Sequence, residues 1–93
     1  MDFKSLHCFA ELVRLQSFSA AAQALSLTQP TVSKTIQALE AELGVPLLHK
    51  ENGRKKRQVS PTPIGEEVYR HALSLLHERD LLLARIADYR HIK

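Results

Sequence analysis

The side chains able to do chemistry gather in two places. Between Ser26 and Gly44, in "SLTQPTVSKTIQALEAELG", the residues Thr28, Gln29, Pro30, Thr31, Ser33, Lys34 and Gln37 crowd hydrogen-bonding and basic groups into the opening turns of a helix. The carboxylates Glu40 and Glu42 stand at its far end, where the helix dipole disfavours them. The second place is "KENGRKKR", where Lys50, Arg54, Lys55, Lys56 and Arg57 against Glu51 supply +4 of a formal net charge of +3, leaving the rest of the chain at −1. A positive excess confined to one short segment suits a local patch that meets a polyanion. Amides and hydroxyls at a helix start can read base edges, and clustered cations can hold phosphates.

Nothing else in the chain assembles into a reactive centre. There is no Gly-rich phosphate loop, no nucleophile with its base and no paired-carboxylate cleft, so the sequence predicts a binding protein and not an enzyme. Among His7, His49, His71, His77 and His91, only His71 and His77 come near a metal-ligand spacing, and Cys8 has no second cysteine to join them. The histidines are expected at the surface or an interface, with no metal and no cofactor. Cys8 reads as a small buried hydrophobe. With no disulfide pair, no secretion signal and no apolar stretch of bilayer length, the expected location is the cytoplasm, away from membranes.

The elements that position these groups follow from pattern. Hydrophobic content of 44% over 93 residues suffices for one small core. Asp2 is placed to cap a first helix whose Phe3, Leu6, Phe9, Ala10 and Val13 recur at helical spacing. Ser19 is the expected cap of a second helix, where Ala20, Ala21, Ala22 and Ala24 admit a close neighbour and Leu25 and Leu27 anchor it. Thr28 caps a third, with Pro30 in the first turn, where its missing N–H costs nothing. At about 100° per residue, Val32, Ile36, Leu39 and Leu43 form its inner stripe, with Pro30, Lys34, Gln37 and Ala41 opposite and Ser33 at the flank. Gly44 supplies a left-handed stop with Val45 folding back.

Strand candidates "LLH" and "QVS" flank Asn52-Gly53, a hairpin signal. A tight turn would set Lys50 opposite Lys55, so the predicted hairpin has a loose tip. Thr62-Pro63 then opens a last helix of about 28 residues, ~42 Å long, with Glu66 and Glu67 favourably placed in its first turn. Its Val68, Ala72, Leu75, Leu82, Ile86 and Tyr89 keep a four-three spacing broken by Arg79 and widened by Leu76 and Leu83. Three short helices cannot cover so long a seam, which therefore predicts a partner helix.

Three helices with a tight turn between the second and third, then a hairpin, form a winged helix-turn-helix pattern. The charge order of the third helix then has a reason: its start is kept free of carboxylates that phosphates would repel. The segment "TQPTVSKTIQALEAELGVPLL", with "SFSAAAQAL" before it and "PTPIGEE" after it, resembles the DNA-binding domain of LysR-type transcriptional regulators. The resemblance implies a mainly α fold, a winged helix-turn-helix of three helices and a short β-hairpin wing over 1–62, followed by a long dimerisation helix over 63–93. It implies a sequence-specific domain that binds a pseudo-palindromic operator in double-stranded DNA as a homodimer, with the long helices packed antiparallel.

By the same resemblance Gln29, Pro30, Ser33 and Lys34 contact bases and backbone, and a basic wing residue reaches toward the minor groove. Thr28, Thr31 and Gln37 are neighbours by geometry. Arg54 is the first choice in the wing, followed by Lys55, Lys56 and Arg57. The chain departs from the family pattern in Leu48 for Phe, in a wing a few residues longer and in Pro61 for Leu. Family members also carry a larger C-terminal effector-binding domain, absent from this chain, which suggests an excised fragment. A small-molecule effector and a tetramer would belong to the full-length protein. On local sequence alone "GRKKRQ" fits a nuclear-import or RNA-binding signal equally well, which leaves open a helical protein-interaction module with a targeting run. The position of the run between two strand candidates favours a wing.

Overall fold

A computed structural model describes residues 1–49 and 59–92, in the order α1 (Phe3–Leu15), α2 (Phe18–Leu25), α3 (Gln29–Leu43) and α4 (Pro63–Ile92). Asp2 caps α1 by accepting from the Ser5 N–H at 2.8 Å, a bond that holds its carboxyl below the ordinary carboxylate range. Gln16 ends α1 in the left-handed region at φ 57°. Only Ser17 is left to turn the chain, and it, not Ser19, caps α2 by accepting from the Ala20 N–H at 3.1 Å. The earlier cap wins because it places Phe18 inside the first turn, packed against the core. Ser26, left-handed at φ 59°, closes α2, and Thr28 opens α3 by accepting from the Thr31 N–H at 3.2 Å. Gly44, at φ 75°, ends α3 as expected.

The core is built from Leu6, Cys8, Phe9, Ala10 and Leu12 of α1, Ala21 and Ala22 of α2, and Val32, Ile36 and Leu39 of α3. The two alanines let α1 and α3 close on α2. Burial pushes the Cys8 thiol up from its ordinary value. Phe3 and Leu27, expected inward, are exposed, whereas Leu12, off the expected stripe, is fully buried. Phe3 sits at the very start of α1, where its ring meets Arg79 of α4 and not the core.

Leu47 closes the core with no exposure. Its N–H donates to the Glu40 carboxylate at 2.8 Å, and its carbonyl accepts from the Thr62 N–H at 3.0 Å. One antiparallel bridge, Leu48 to Pro61, and a bond from the His49 N–H to the Ser60 carbonyl at 3.0 Å form the base of the hairpin. Among the described residues the two expected strands are reduced to this bridge, because Pro61 has no N–H with which to extend a ladder. Residues 50–58 lie outside the described residues, and with them the hairpin tip.

Thr62 caps α4 by accepting from the Gly65 N–H at 3.0 Å. The helix runs 30 residues. Its first turns belong to the core: Val68 and Tyr69 pack against it and Ala72 is fully buried. From Asp80 to His91 every residue is exposed, so the helix leaves the body of the protein as a free arm. Among the described residues no helix is long and apolar enough to cross a membrane.

Gly65 and Gly44 test this architecture. A Cβ on Gly65 would lie 2.1 Å from the Leu47 carbonyl oxygen, so Gly65→Ala is expected to cost about 1–3 kcal/mol or more as α4 is forced away. Gly44 has nothing within 4 Å, and Gly44→Ala is expected to cost only the left-handed strain of about 1–2 kcal/mol. Urea unfolding of the two variants gives the comparison; equal losses would mean that α4 does not rest on Leu47.

Candidate nucleic-acid interface

The face that α3 presents follows from what holds its other side. With Val32, Ile36 and Leu39 buried, Gln29, Pro30, Lys34, Gln37 and Ala41 are left exposed and Ser33 half-buried. Gln29, Pro30 and Ser33 line one shallow depression together with Phe18 from α2. The sequence pattern does not single out Phe18; the available signal is its place directly after a serine able to cap α2. Thr28 and Thr31, both exposed, form the cap: the Thr28 hydroxyl accepts from the Thr31 N–H and donates to the Thr31 hydroxyl at 2.9 Å. Thr31 also lies on the other flank, facing a groove with Thr35, Ala38 and the first turns of α1.

The outward groups therefore divide by kind. A flank with one amide, one hydroxyl and two apolar rings, from Gln29, Ser33, Pro30 and Phe18, can combine hydrogen bonds with apolar contact, as base edges in a major groove require. Lys34 adds a cation one turn along. The carboxylates are engaged elsewhere. Glu40 accepts from the N–H groups of Leu47 at 2.8 Å and Leu48 at 3.2 Å, and Glu42 pairs with the terminal ammonium of Met1. Arg54, Lys55, Lys56 and Arg57 lie outside the described residues.

The seam expected along α4 is divided. Ala72, expected in the dimerisation set, is fully buried within its own protomer. Val68 and Leu76 are half-buried, Val68 against the core. The Arg79 guanidinium lies 5.5 Å from the Phe3 ring centroid and 3.0 Å from the Asp80 carboxylate. Leu75, Leu82, Leu83, Ile86 and Tyr89 stay exposed, Tyr89 at 72%. Among the described residues no group of three His, Cys, Asp or Glu side chains could hold a metal ion.

Residues 3–66 match the family model of bacterial regulatory helix-turn-helix proteins of the lysR family. The chain belongs to the LysR family. It is 39% identical over 88 residues to the uncharacterised HTH-type transcriptional regulator YcgK of Bacillus subtilis, a match covering 95% of this chain and 26% of that protein. It is 39% identical over 84 residues to the regulator BenM of Acinetobacter baylyi, covering 90% and 26%. The crystal structure of the BenM DNA-binding domain with benA site 1 DNA superposes with a TM-score of 0.86 at 37% identity, over 96% of this chain and 99% of that one. The chain thus spans about a quarter of the length of the curated relatives it matches. Within the LysR family it is the winged helix-turn-helix DNA-binding domain with its long helix, and these relatives are transcriptional regulators rather than enzymes.

For this LysR-family domain the Thr28 cap fixes where the exposed face of α3 begins. Thr28→Ala is expected to cost about 1 kcal/mol of stability, and Thr28→Ser to retain most of it. Urea denaturation followed by circular dichroism checks both; an unaffected Thr28→Ala would show that the cap contributes nothing to α3.

Proposed function

We propose that this domain binds a pseudo-palindromic operator in double-stranded DNA as a homodimer, with the start of α3 in the major groove and the free arm of α4 joining two copies. The exposed Gln29, Pro30 and Lys34 face, in a fold that superposes on a domain solved with its DNA site, is the observation that carries this reading. Gln29 reads a base edge by hydrogen bonds. Pro30, beside Phe18, offers apolar contact to a thymine methyl, and Ser33, Lys34 and Gln37 reach neighbouring bases and phosphates. Residues 1–62 form the reading unit and 63–93 the joining helix. The basic run holds phosphates, with Arg54 the residue that enters the minor groove. As part of a longer regulator the domain would act in the cytoplasm, in an assembly up to a tetramer, with any small-molecule effector bound outside this chain.

Selection from a random duplex library tests the proposal directly: a two-fold related sequence is expected to be enriched, and the absence of enrichment would overturn it. On the selected duplex, Gln29→Ala is expected to cost ~1–3 kcal/mol and almost nothing on random DNA. The Lys55→Ala, Lys56→Ala double variant is expected to weaken both DNAs alike and to reduce the slope of log K against log salt by ~0.9 for each phosphate it leaves unneutralised. Leu82→Asp, on the exposed arm, is expected to give monomers in sedimentation with the core intact.

A further inference from the structure

On the flank of α3 away from Phe18, a groove of about 600 Å³ runs along the first two turns of α1. Thr31, Thr35 and Ala38 form its α3 wall, Ser5 and Cys8 line it from α1, and Ala24, Leu25 and Leu27 add the end of α2. That volume falls within the ~300–1,000 Å³ of small-molecule sites. The space exists because Ser5, Cys8, Ala24, Thr35 and Ala38 are all too short to fill the crossing of three helices. Leu27, still 39% exposed, is a large apolar side chain that the helix packing leaves uncovered beside it.

The polar groups of the walls carry no charge. The Thr35 hydroxyl donates to the Thr31 carbonyl at 2.8 Å, which leaves its lone pairs able to accept. The Thr31 hydroxyl accepts from Thr28 and keeps its own proton to donate. Burial raises the Cys8 thiol, so it stays protonated at neutral pH and acts as a small hydrophobe. At the mouth the charges offset one another. The cation of Lys4 is matched on the same rim by the Asp2 carboxylate, itself bonded to the Ser5 N–H, and His7 lies 3.8 Å from Glu11. Such a site does not repay the dehydration of an ion. It suits a flat apolar body with a single polar hydrogen, because a buried ring O–H or N–H requires a partner.

We propose that the groove between α1 and α3 binds a neutral aromatic molecule of one or two rings with a single hydroxyl or ring N–H, a phenol or an indole. The ring lies between Cys8 and Ala38, and its polar hydrogen meets the Thr35 hydroxyl. This site is separate from the Gln29, Pro30 and Ser33 flank and does not depend on the DNA-binding reading. Thr31 belongs both to its wall and to the Thr28 cap, so the ligand sits against the turn that starts α3.

Nitrogen-15 NMR of the 93-residue chain, titrated with phenol, indole and benzoate, tests the assignment. Phenol or indole is expected to give saturable shifts centred on Ser5, Cys8, Thr35 and Ala38 at roughly millimolar concentration or below. Benzoate, of similar size but charged, is expected to bind at least about tenfold more weakly. Ala38→Leu fills the groove from an exposed helical position and is expected to weaken phenol binding by about tenfold or more, with the rest of the spectrum unchanged. Ala24→Leu, exposed on α2, fills it from another wall and covers the case in which the first variant disturbs α3. Thr35→Val is expected to lower affinity for phenol about fivefold and to leave that for toluene unaltered. No saturable shift with either ring, shifts that map instead to the cleft of Met1, Leu43 and Leu75, or binding that survives both filled variants would overturn the site. Benzoate bound as tightly as phenol would overturn the neutral class of ligand.

Discussion

The backbone of Leu47 is the constraint on which the rest of the domain depends. Its side chain has no exposure, its N–H is held by a carboxylate of α3, its carbonyl is held by the residue before α4, and Gly65 rests directly against that carbonyl. The reading helix and the long helix pack on α1 and on α2 or the core, not chiefly on each other. Their mutual orientation is therefore set through α1 and through Leu47, whose backbone is bonded to both sides. An N–H or C=O left unpaired at such a depth costs about 1–3 kcal/mol, which makes a shift of α4 relative to α3 an all-or-none loss and not a gradual adjustment.

The carboxylates at the end of α3 acquire a structural role from the same arrangement. Glu40 and Glu42 sit where the dipole opposes them by a few tenths to about 1 kcal/mol. Glu40 offsets this with two charge-assisted bonds to the Leu47 and Leu48 N–H groups, and Glu42 with the Met1 ammonium. One polarity thus serves two ends of the helix. Negative charge is used up locking the rear of α3 to the loop and to the chain start, while the front keeps only neutral groups and Lys34, as a surface approaching phosphates requires.

Four helix ends were legible in the sequence: Asp2, Thr28, Gly44 and Thr62 all act where their types indicate. Gln16 and Ser26 were not legible, because a left-handed residue other than glycine carries no mark of its type, and misplacing the first of these turns moved the α2 cap from Ser17 to Ser19. Periodicity showed which residues of α1 and α4 share a stripe but not what covers them. Phe3 and Arg79, assigned separately to a core and to a seam, meet each other. On α3 the inner stripe left no choice of outer face, so Gln29, Pro30 and Lys34 could be placed from sequence, whereas Phe18 belongs to the same surface only through the packing of α2 on α3. The basic run carries composition but no periodicity, and its contacts could be assigned by resemblance alone.

The division of α4 near Arg79 separates two free energies that a single continuous seam would have merged. Side chains before it, such as Val68 and Ala72, are spent within the protomer and contribute to folding. Those after it are exposed and stabilise nothing until another surface covers them, so they contribute to association alone. Arg79 marks the border because its charge is drawn toward Phe3, which ties the last docked turn to α1 and leaves the arm beyond it straight and free. If the domain reads two half-sites, as proposed, this separation has a direct consequence. The strength of pairing can change through residues of the arm without loosening the core that aims α3, and the domain can stay folded at concentrations where it is unpaired, with DNA supplying the second reason for two copies to meet.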